Sequence, residues 1–502
     1  YNNAGVFYKK QGQSEKAEKY YLAAIEIRER LVKKNADAYE PDLAMSYNNA
    51  GLFYAKQNQP DKAEKYILAA IEIRERLVEK NADAYEQDLA MSYNSAGNFY
   101  SSHNQPEKAE KYYLDAIEIQ ERLVKKNADA YEPDLAGCYN NVGNFYYKQN
   151  QSDKAEKYLI NAIEIYERLA KKNADAYEPY LAVSYNNAGN FYSDQGHPDK
   201  AEKYYLAAIE IRERLVEKNA AAYEPDLAMS CYNVGLFYAK QSQPEKAEKY
   251  YLAAIEIRKR LVEKNAEAYE PDLAGCYNNA GALYHKQNQP EKAEKYYLSA
   301  IEIYGRLVEK NADAYEPDLA MSCYNVGLFY AKQSQPEKAE KYYFIAIEIY
   351  EYLAKKDSDT YEPYLAQSYS CMGITHDQQG QPKKAEKYFL DAIGIRECLV
   401  EKNADAYEPA LATSYNSAGV FYHKHGQSSK AEKYYLAAIE IRERLAEKNA
   451  AAYEPELATL YYNYYLLKKD KIYLDKAYEI AKRRQDNPRC GKLVKDIESM
   501  LK

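Results

Sequence analysis

The chain lacks tryptophan entirely and holds only 19 glycines and 6 histidines in 502 residues, with a net charge of just −8. Sparse glycine in a chain rich in Ala, Glu, Lys and Tyr leans towards helix. The near-balanced charge argues against general nucleic-acid binding, which needs a basic face to displace counterions from phosphate. No window approaches the ~18–20 consecutive apolar residues of a membrane span. The histidines (His103, His197, His285, His376, His423 and His425) form no metal-ligand spacing. No nucleophile–base–orienter set and no phosphate-cradling glycine loop appears. The expectation is therefore a protein with no metal, no cofactor and no catalytic site. The seven cysteines are an odd set without a CxxC pair. Five of them (Cys138, Cys231, Cys276, Cys323 and Cys371) stand in one recurring helix, as small buried apolar residues do, which points to a reducing, cytoplasmic setting.

What the sequence does have is repetition. The motif Ala-Glu-Lys-Tyr starts at Ala17, Ala63, Ala109, Ala155, Ala201, Ala247, Ala293, Ala339, Ala385 and Ala431, always at the same 46-residue step. A glycine keeps the same step from Gly5 through Gly51 and Gly97 to Gly419. Ser230 to Tyr251 matches Ser322 to Tyr343 letter for letter, two repeats apart, as expected of a duplicated two-repeat block. Thin stacked units, each touching only its neighbours, fit a mean hydropathy of −0.76 alongside 46% apolar residues.

Within the unit Pro41 to Glu86, a first helix is expected to start at Pro41, whose fixed φ and missing N–H suit that position. Leu43, Ala44, Tyr47, Ala50, Gly51 and Tyr54 then share one face. Gln57-Asn58-Gln59 breaks the pattern and Pro60 starts a second helix with the stripe Ala63, Tyr66, Ile67, Ala70, Ile71, Arg74, Leu77 and Val78. Glu and Lys/Arg cover its outer face as ordinary exposed carboxylates and cations. Asn81 to Tyr85 reads as a linker to the next Pro start, with Tyr39, Tyr85, Tyr131 and Tyr177 plugging the joints. Gly51 costs ~1 kcal/mol of helix propensity, so its recurrence implies a close helix crossing. Most of the 59 tyrosines fall on stripe positions and are read as core.

Tyr47-Asn48-Asn49-Ala50-Gly51-Leu52-Phe53-Tyr54, followed by Ala63, Tyr66-Ile67 and Ala70, resembles the tetratricopeptide repeat. Tyr47 stands where that family most often has tryptophan. The period exceeds the usual 34 residues, and the second helix runs on through Ile73 to Leu77 as in the kinesin-light-chain-like subclass. The resemblance implies an all-α, right-handed superhelical solenoid of antiparallel helix pairs: ten repeats over 1–457, the first truncated, then a degenerate eleventh repeat and capping helix over 458–502. Because Tyr1 falls inside a first helix, the natural protein is expected to extend further towards its N-terminus.

The resemblance further implies that first helices line a concave groove, with the residue two before the glycine facing it. That column holds Asn3, Asn49, Asn141, Asn187, Asn233, Asn279 and Asn325, interrupted by Ser95, Cys371 and Ser417. An amide ladder offering donors and acceptors is able to grip an extended peptide backbone; equally, these amides are able to bond neighbouring first helices. One residue after the glycine, Leu52 is followed by Asn98, Asn144 and Asn190 and then by Leu236, Ala282, Leu328, Ile374 and Val420, a polar middle of the first half before an apolar later half, read either as groove specificity or as drift on a wet surface. The expected function is a non-enzymatic scaffold that binds a peptide or helix of a protein partner, without nucleic acid or membrane. Two rivals stand beside it: the sensor or regulatory region of a larger signalling protein, and a self-associating, fibre-like assembly.

Overall fold

A computed structural model of the chain describes residues 1–10 and 13–501. Among these residues there are 23 α-helices and no strand, packed pairwise in tandem as an all-α solenoid. The chain divides into two compact units, 1–276 and 277–502.

The 46-residue step is explained by one repeat. Its first helix, Ala36–Lys56, and its second, Pro60–Lys80, are each 21 residues, about 32 Å long. A three-residue turn joins them, and a single residue, Asn81, separates the second helix from the next first helix, Ala82–Ser102. The expected start at Pro41 and the expected linker Asn81–Tyr85 are therefore corrected. The Asn81 N–H donates to the Leu77 carbonyl at 2.9 Å, ending one helix. Its Oδ1 accepts from the Ala84 N–H at 3.2 Å, capping the next. The added first turn is polar and alanine-rich, so it carries no apolar stripe, while Pro41 lies inside the helix and forgoes one bond to it. Tyr39, Tyr85, Tyr131 and Tyr177 accordingly lie half-buried on these helical turns.

Gln57-Asn58-Gln59 forms the turn, as the sequence predicts. Asn58 takes a left-handed conformation (φ 54°), and the Gln59 N–H returns to the Tyr54 carbonyl at 3.0 Å. The two helices then cross at Gly51, where a Cβ would stand 2.6 Å from Ile67 Cγ1 and 3.2 Å from the Ala63 carbonyl. In the next repeat a Cβ on Gly97 would meet the Tyr113 ring at 2.6 Å. Glycine is required here for contact rather than for conformation.

Between repeats, the Ala-Glu-Lys-Tyr motif acts as a joint. Ala63 is fully buried, and Tyr66 stacks on Tyr54 with centroids 5.6 Å apart. Glu64 accepts from the Tyr100 hydroxyl of the next repeat at 2.8 Å and from Lys108 at 3.2 Å. The same bond recurs from Tyr54 to Glu18, Tyr146 to Glu110, Tyr192 to Glu156 and Tyr238 to Glu202. The stripe tyrosines are core, and their hydroxyls fasten one repeat to the previous one. Successive first helices such as Ala82–Ser102 and Ala128–Lys148 touch each other, whereas among the described residues successive second helices do not. First helices therefore form the inner layer of each unit and second helices the splayed outer layer.

In the second unit, Tyr465 takes the glycine position, and Ala477 keeps the step, fully buried. The helix Pro488–Leu501 lays Cys490, Leu493, Val494 and Ile497 over the preceding two helices, covering their apolar faces. Arg483 and Arg484 both bond Glu454.

Candidate protein-interaction groove

The inner layer carries the asparagine column. Asn49, Asn141, Asn187, Asn233, Asn279 and Asn325 are half-buried on this face, and Asn3 is exposed. Three of them bond the preceding first helix: Asn141 Nδ2 donates to Asn94 Oδ1 at 3.2 Å, Asn187 to Asn140 at 3.1 Å and Asn233 to Asn186 at 3.2 Å. Asn463 repeats this with Asn416 at 3.1 Å in the second unit. Where Ser95 interrupts the column, Asn48 Oδ1 is buried without a hydrogen-bonding partner. Each bond uses one side-chain nitrogen of the donating asparagine, whose amide also carries an acceptor oxygen. Beside the column, Asn98 and Asn190 accept from the Tyr113 and Tyr205 hydroxyls, both at 2.7 Å, while Leu236, Ile374 and Val420 are exposed.

Beneath the column lies a row of stripe arginines whose partners the sequence does not display. Arg74 sits in the apolar stripe of its helix, buried, and donates to Ser92 Oγ and to the Asp88 carbonyl (3.0 Å) of the next repeat. Arg28, Arg212 and Arg396 make the same contacts to Ser46, Ser230 and Ser414. Arg258 meets Cys276 Sγ at 2.6 Å and the Asp272 carbonyl at 2.7 Å. The row itself is marked in the sequence by an arginine at a stripe position whose 46-residue equivalents are Gln120, Tyr166, Tyr304 and Tyr350. Burial lowers the pKa of Arg74, Arg212 and Arg396.

Around these joints the acidic and thiol groups are committed to packing. The Tyr100 hydroxyl holds Glu64 below its usual range against partial burial, and the Tyr146 hydroxyl does the same for Glu110. Glu40, Glu86 and Glu224 are buried on first helices and paired with Arg76, Arg122 and Arg260 on the second helix of the same repeat. The expectation that the glutamates are uniformly exposed and of ordinary acidity is thus corrected. Their partners lie on the other helix of the pair, a relation that spacing along a single helix does not display. Cys138, Cys231, Cys276 and Cys323 are buried, as expected, whereas Cys371 is only half-buried; burial pushes the Cys138 thiol up to about 12. Among the described residues no group of three His, Cys, Asp or Glu is placed to hold a metal, and no helix is long and apolar enough to cross a membrane.

In the first unit the groove deepens into a cavity of about 620 Å³ where the third repeat (Ala82–Lys126) meets the next two, with Gln120 at its floor and Asn94 and Asn141 on its wall. A smaller one of about 210 Å³ lies beside Asn190, Tyr205 and Asn233.

Stacked helix pairs with a polar inner face define a repeat scaffold. The chain belongs to the tetratricopeptide repeat family, whose models match residues 1–76, 42–122, 134–214 and 226–306, and again 365–402 and 411–449. Repeats of this family serve protein-interaction or regulatory roles, and their fold is generally a non-catalytic scaffold that binds protein partners. No curated protein sequence matches the chain. Among solved structures, it is similar in fold to the signal transduction ATPase with numerous domains and a tetratricopeptide repeat sensor from Pyrococcus horikoshii, at 18% identity over 77% of this chain and 54% of that one (TM-score 0.45). Aspartyl phosphate phosphatase F from Bacillus subtilis matches at 18% identity over 78% and 94% (TM-score 0.44). A kinesin-light-chain-like protein from Podosopora anserina with nearly identical repeats matches at 14% identity over 44% and 95% (TM-score 0.35).

Proposed function

We propose that the chain is a non-catalytic scaffold whose groove, lined by Asn3, Asn49, Asn141, Asn187, Asn233, Asn279 and Asn325, binds a peptide or helix of a protein partner. Ten repeats over 1–457 supply the groove and 458–502 closes it. The observation that carries the reading is the amide column on the inner layer, half-buried from Asn49 on, in which the bonds of Asn141, Asn187 and Asn233 to the neighbouring helix leave those side chains a second N–H and an acceptor oxygen. Thiols and carboxylates committed to joints between repeats support the non-catalytic part.

The test is capture from native lysate with the tagged chain as bait and an untagged copy added. A second bait carries leucine at both members of two bonded pairs, Asn94 with Asn141 and Asn140 with Asn187. Changing both partners leaves no buried amide unsatisfied, and circular dichroism checks the helicity. A protein captured by the parent and lost from the folded variant supports groove recognition; one captured equally by both overturns it.

One observation favours self-association as a second reading. Leu22, Leu68, Leu114, Leu206, Leu252 and Leu298 recur on second helices, each more than a third exposed. Repeated apolar positions at a fixed step suit pairing with another copy. Sedimentation of the parent and of a variant with all six changed to Gln separates the readings, since self-association then falls while groove capture persists.

A further inference from the structure

The cavity at the third repeat is the place where a buried arginine is missing. Arg396 shows what that place holds elsewhere. It is ringed by Gln367, 29 residues before it, by Ser370, 26 before, by the Ala410 carbonyl, 14 after, and by Ser414, 18 after. Counted from Gln120, the same four steps reach Met91, Asn94, Asp134 and Cys138, and all four line the cavity. Gln120 is shorter than arginine and reaches none of them by hydrogen bond. It is 0% exposed, and neither its Oε1 nor its Nε2 meets a hydrogen-bonding partner in the protein. A buried carboxamide left so keeps an uncompensated desolvation cost.

Two further substitutions enlarge the space. Gly137 stands where Met45, Met91 and Met229 stand in other repeats. Tyr166 fills the next arginine position, donates to the Pro133 carbonyl at 3.1 Å, and stacks on Tyr180 at 5.7 Å, giving the cavity an aromatic wall. No lysine, arginine or histidine lines the cavity, and the one charged group that does is the Asp134 carboxylate, which Gln87 holds at 2.8 Å.

We infer that this cavity takes the guanidinium of an arginine supplied by a partner segment lying in the groove, replacing the arginine that the repeat itself lacks. The inference rests on the groove reading for its biological source, though the site stands on its own geometry. The acceptors are in place: Gln120 Oε1 after a turn of its own side chain, the Asp134 carboxylate and the amide oxygens of the wall. The Tyr166–Tyr180 stack offers ring faces to a planar cation. A carboxylate ligand meets Asp134 and no cation, and a lysine brings a compact charge without the fork that spans several acceptors.

The test uses N-acetyl-arginine-N-methylamide, with the citrulline and lysine analogues as controls, titrated against the full chain by ligand-observed NMR. The arginine probe is expected to bind with a Kd on the order of 1 mM, as suits a fragment of its size. The citrulline analogue, equal in shape but uncharged, is expected to bind at least tenfold more weakly, and the lysine analogue likewise. Gln120→Arg, which installs the side chain found at the equivalent joints, is expected to abolish binding while the chain stays folded. Gln120→Leu checks the floor separately and is expected to weaken binding at least threefold. Equal binding to parent and Gln120→Arg, equal binding of the citrulline analogue, or no binding at 10-fold above that range overturns the inference. Such a failure leaves the groove reading to the lysate capture, which does not use this probe.

Discussion

Two joints in the first unit differ by little and teach a good deal. The joint after the helix Pro60–Lys80 and the joint after Pro106–Lys126 share helix lengths, the asparagine cap, and the tyrosine–glutamate bond at 2.8 Å. At the first, Arg74 reaches across to Ser92 and Asp88 and closes the space. At the second, Gln120 reaches nothing, Cys138 stands for the serine, Gly137 stands for a methionine, and a cavity opens on the groove. Stacking is carried by a set of contacts that stays constant, and the groove floor by one that varies. A repeat protein is thus able to alter one without the other.

Arg74→Ala should break the first joint hardest. It removes a buried side chain that fills the space between repeats and leaves Ser92 Oγ without its donor. A loss of about 3 kcal/mol is expected, read from the urea midpoint with helicity as the probe. Gln120→Ala at the second joint should cost below about 1 kcal/mol, because its carboxamide already lacks partners. Equal losses at the two sites would mean that Arg74 is no more structural than Gln120.

The second contrast is alkaline. The Cys138 thiol stands near 12 in the folded chain against 9.0 ordinarily, because burial disfavours the thiolate and Asp134 adds to it. Cys276, equally buried, is pushed only to about 11, since Arg258 beside it offsets burial. A raised folded value means that the stabilisation is whole below pH 9 and is lost as pH rises from 9 towards 12. Cys138→Ser removes that loss. Relative to the parent, the variant should hold about 1.4 kcal/mol more of its stability on going from pH 8 to pH 10, one unit above the ordinary thiol value. Urea titrations at the two pH values decide it, and an identical pH dependence refutes the assignment.

Much of this was legible in the letters. The 46-residue step, the glycine crossing, the Asn58 turn and the stripe tyrosines all follow from periodicity, because each is set by contacts within one repeat. Pro41 misled, since periodicity reads only the apolar stripe and the capped turn Ala36 to Glu40 lies outside it. Arg74 stands on the stripe as expected, but its partner and that of Glu64 were not legible, for a different reason. Their partners are in the next repeat, 18 and 36 residues away, and nothing in a helical pattern marks a residue whose role is to reach across. The cavity was illegible for the same reason, as it results from three substitutions at positions far apart in sequence.

Converting the second joint into the first should be mildly favourable. Gln120→Arg with Cys138→Ser restores the guanidinium, the hydroxyl and the Asp134 carbonyl as its acceptor. It fills part of the cavity and satisfies a carboxamide by removing it. A gain of about 1 kcal/mol in the urea midpoint is expected, and a loss of similar size would show that Gly137 or Tyr166 has reshaped the joint beyond repair by these two residues.

The smallest effects should be the ones that do not distinguish the joints at all. Tyr100→Phe and Tyr146→Phe each delete a hydroxyl that donates to a glutamate at 2.8 Å, and both glutamates also hold a lysine at 3.2 Å. Each change should cost about 0.5 kcal/mol at neutral pH, the low end for a bond to a partly exposed acceptor. In both, the hydroxyl is the main cause that depresses the glutamate. A depressed folded value means that the stabilisation is present above the ordinary carboxylate range and is lost as pH falls through it. Each phenylalanine variant should therefore lose less stability than the parent between pH 5 and 3, and by equal amounts at the two joints, in urea titrations at those values. Unequal acid responses would mean that the missing arginine is felt as far as the tyrosine–glutamate bond. Stacking and groove floor would then be coupled, and the separation that lets one joint hold a cavity without loosening its neighbours would be wrong.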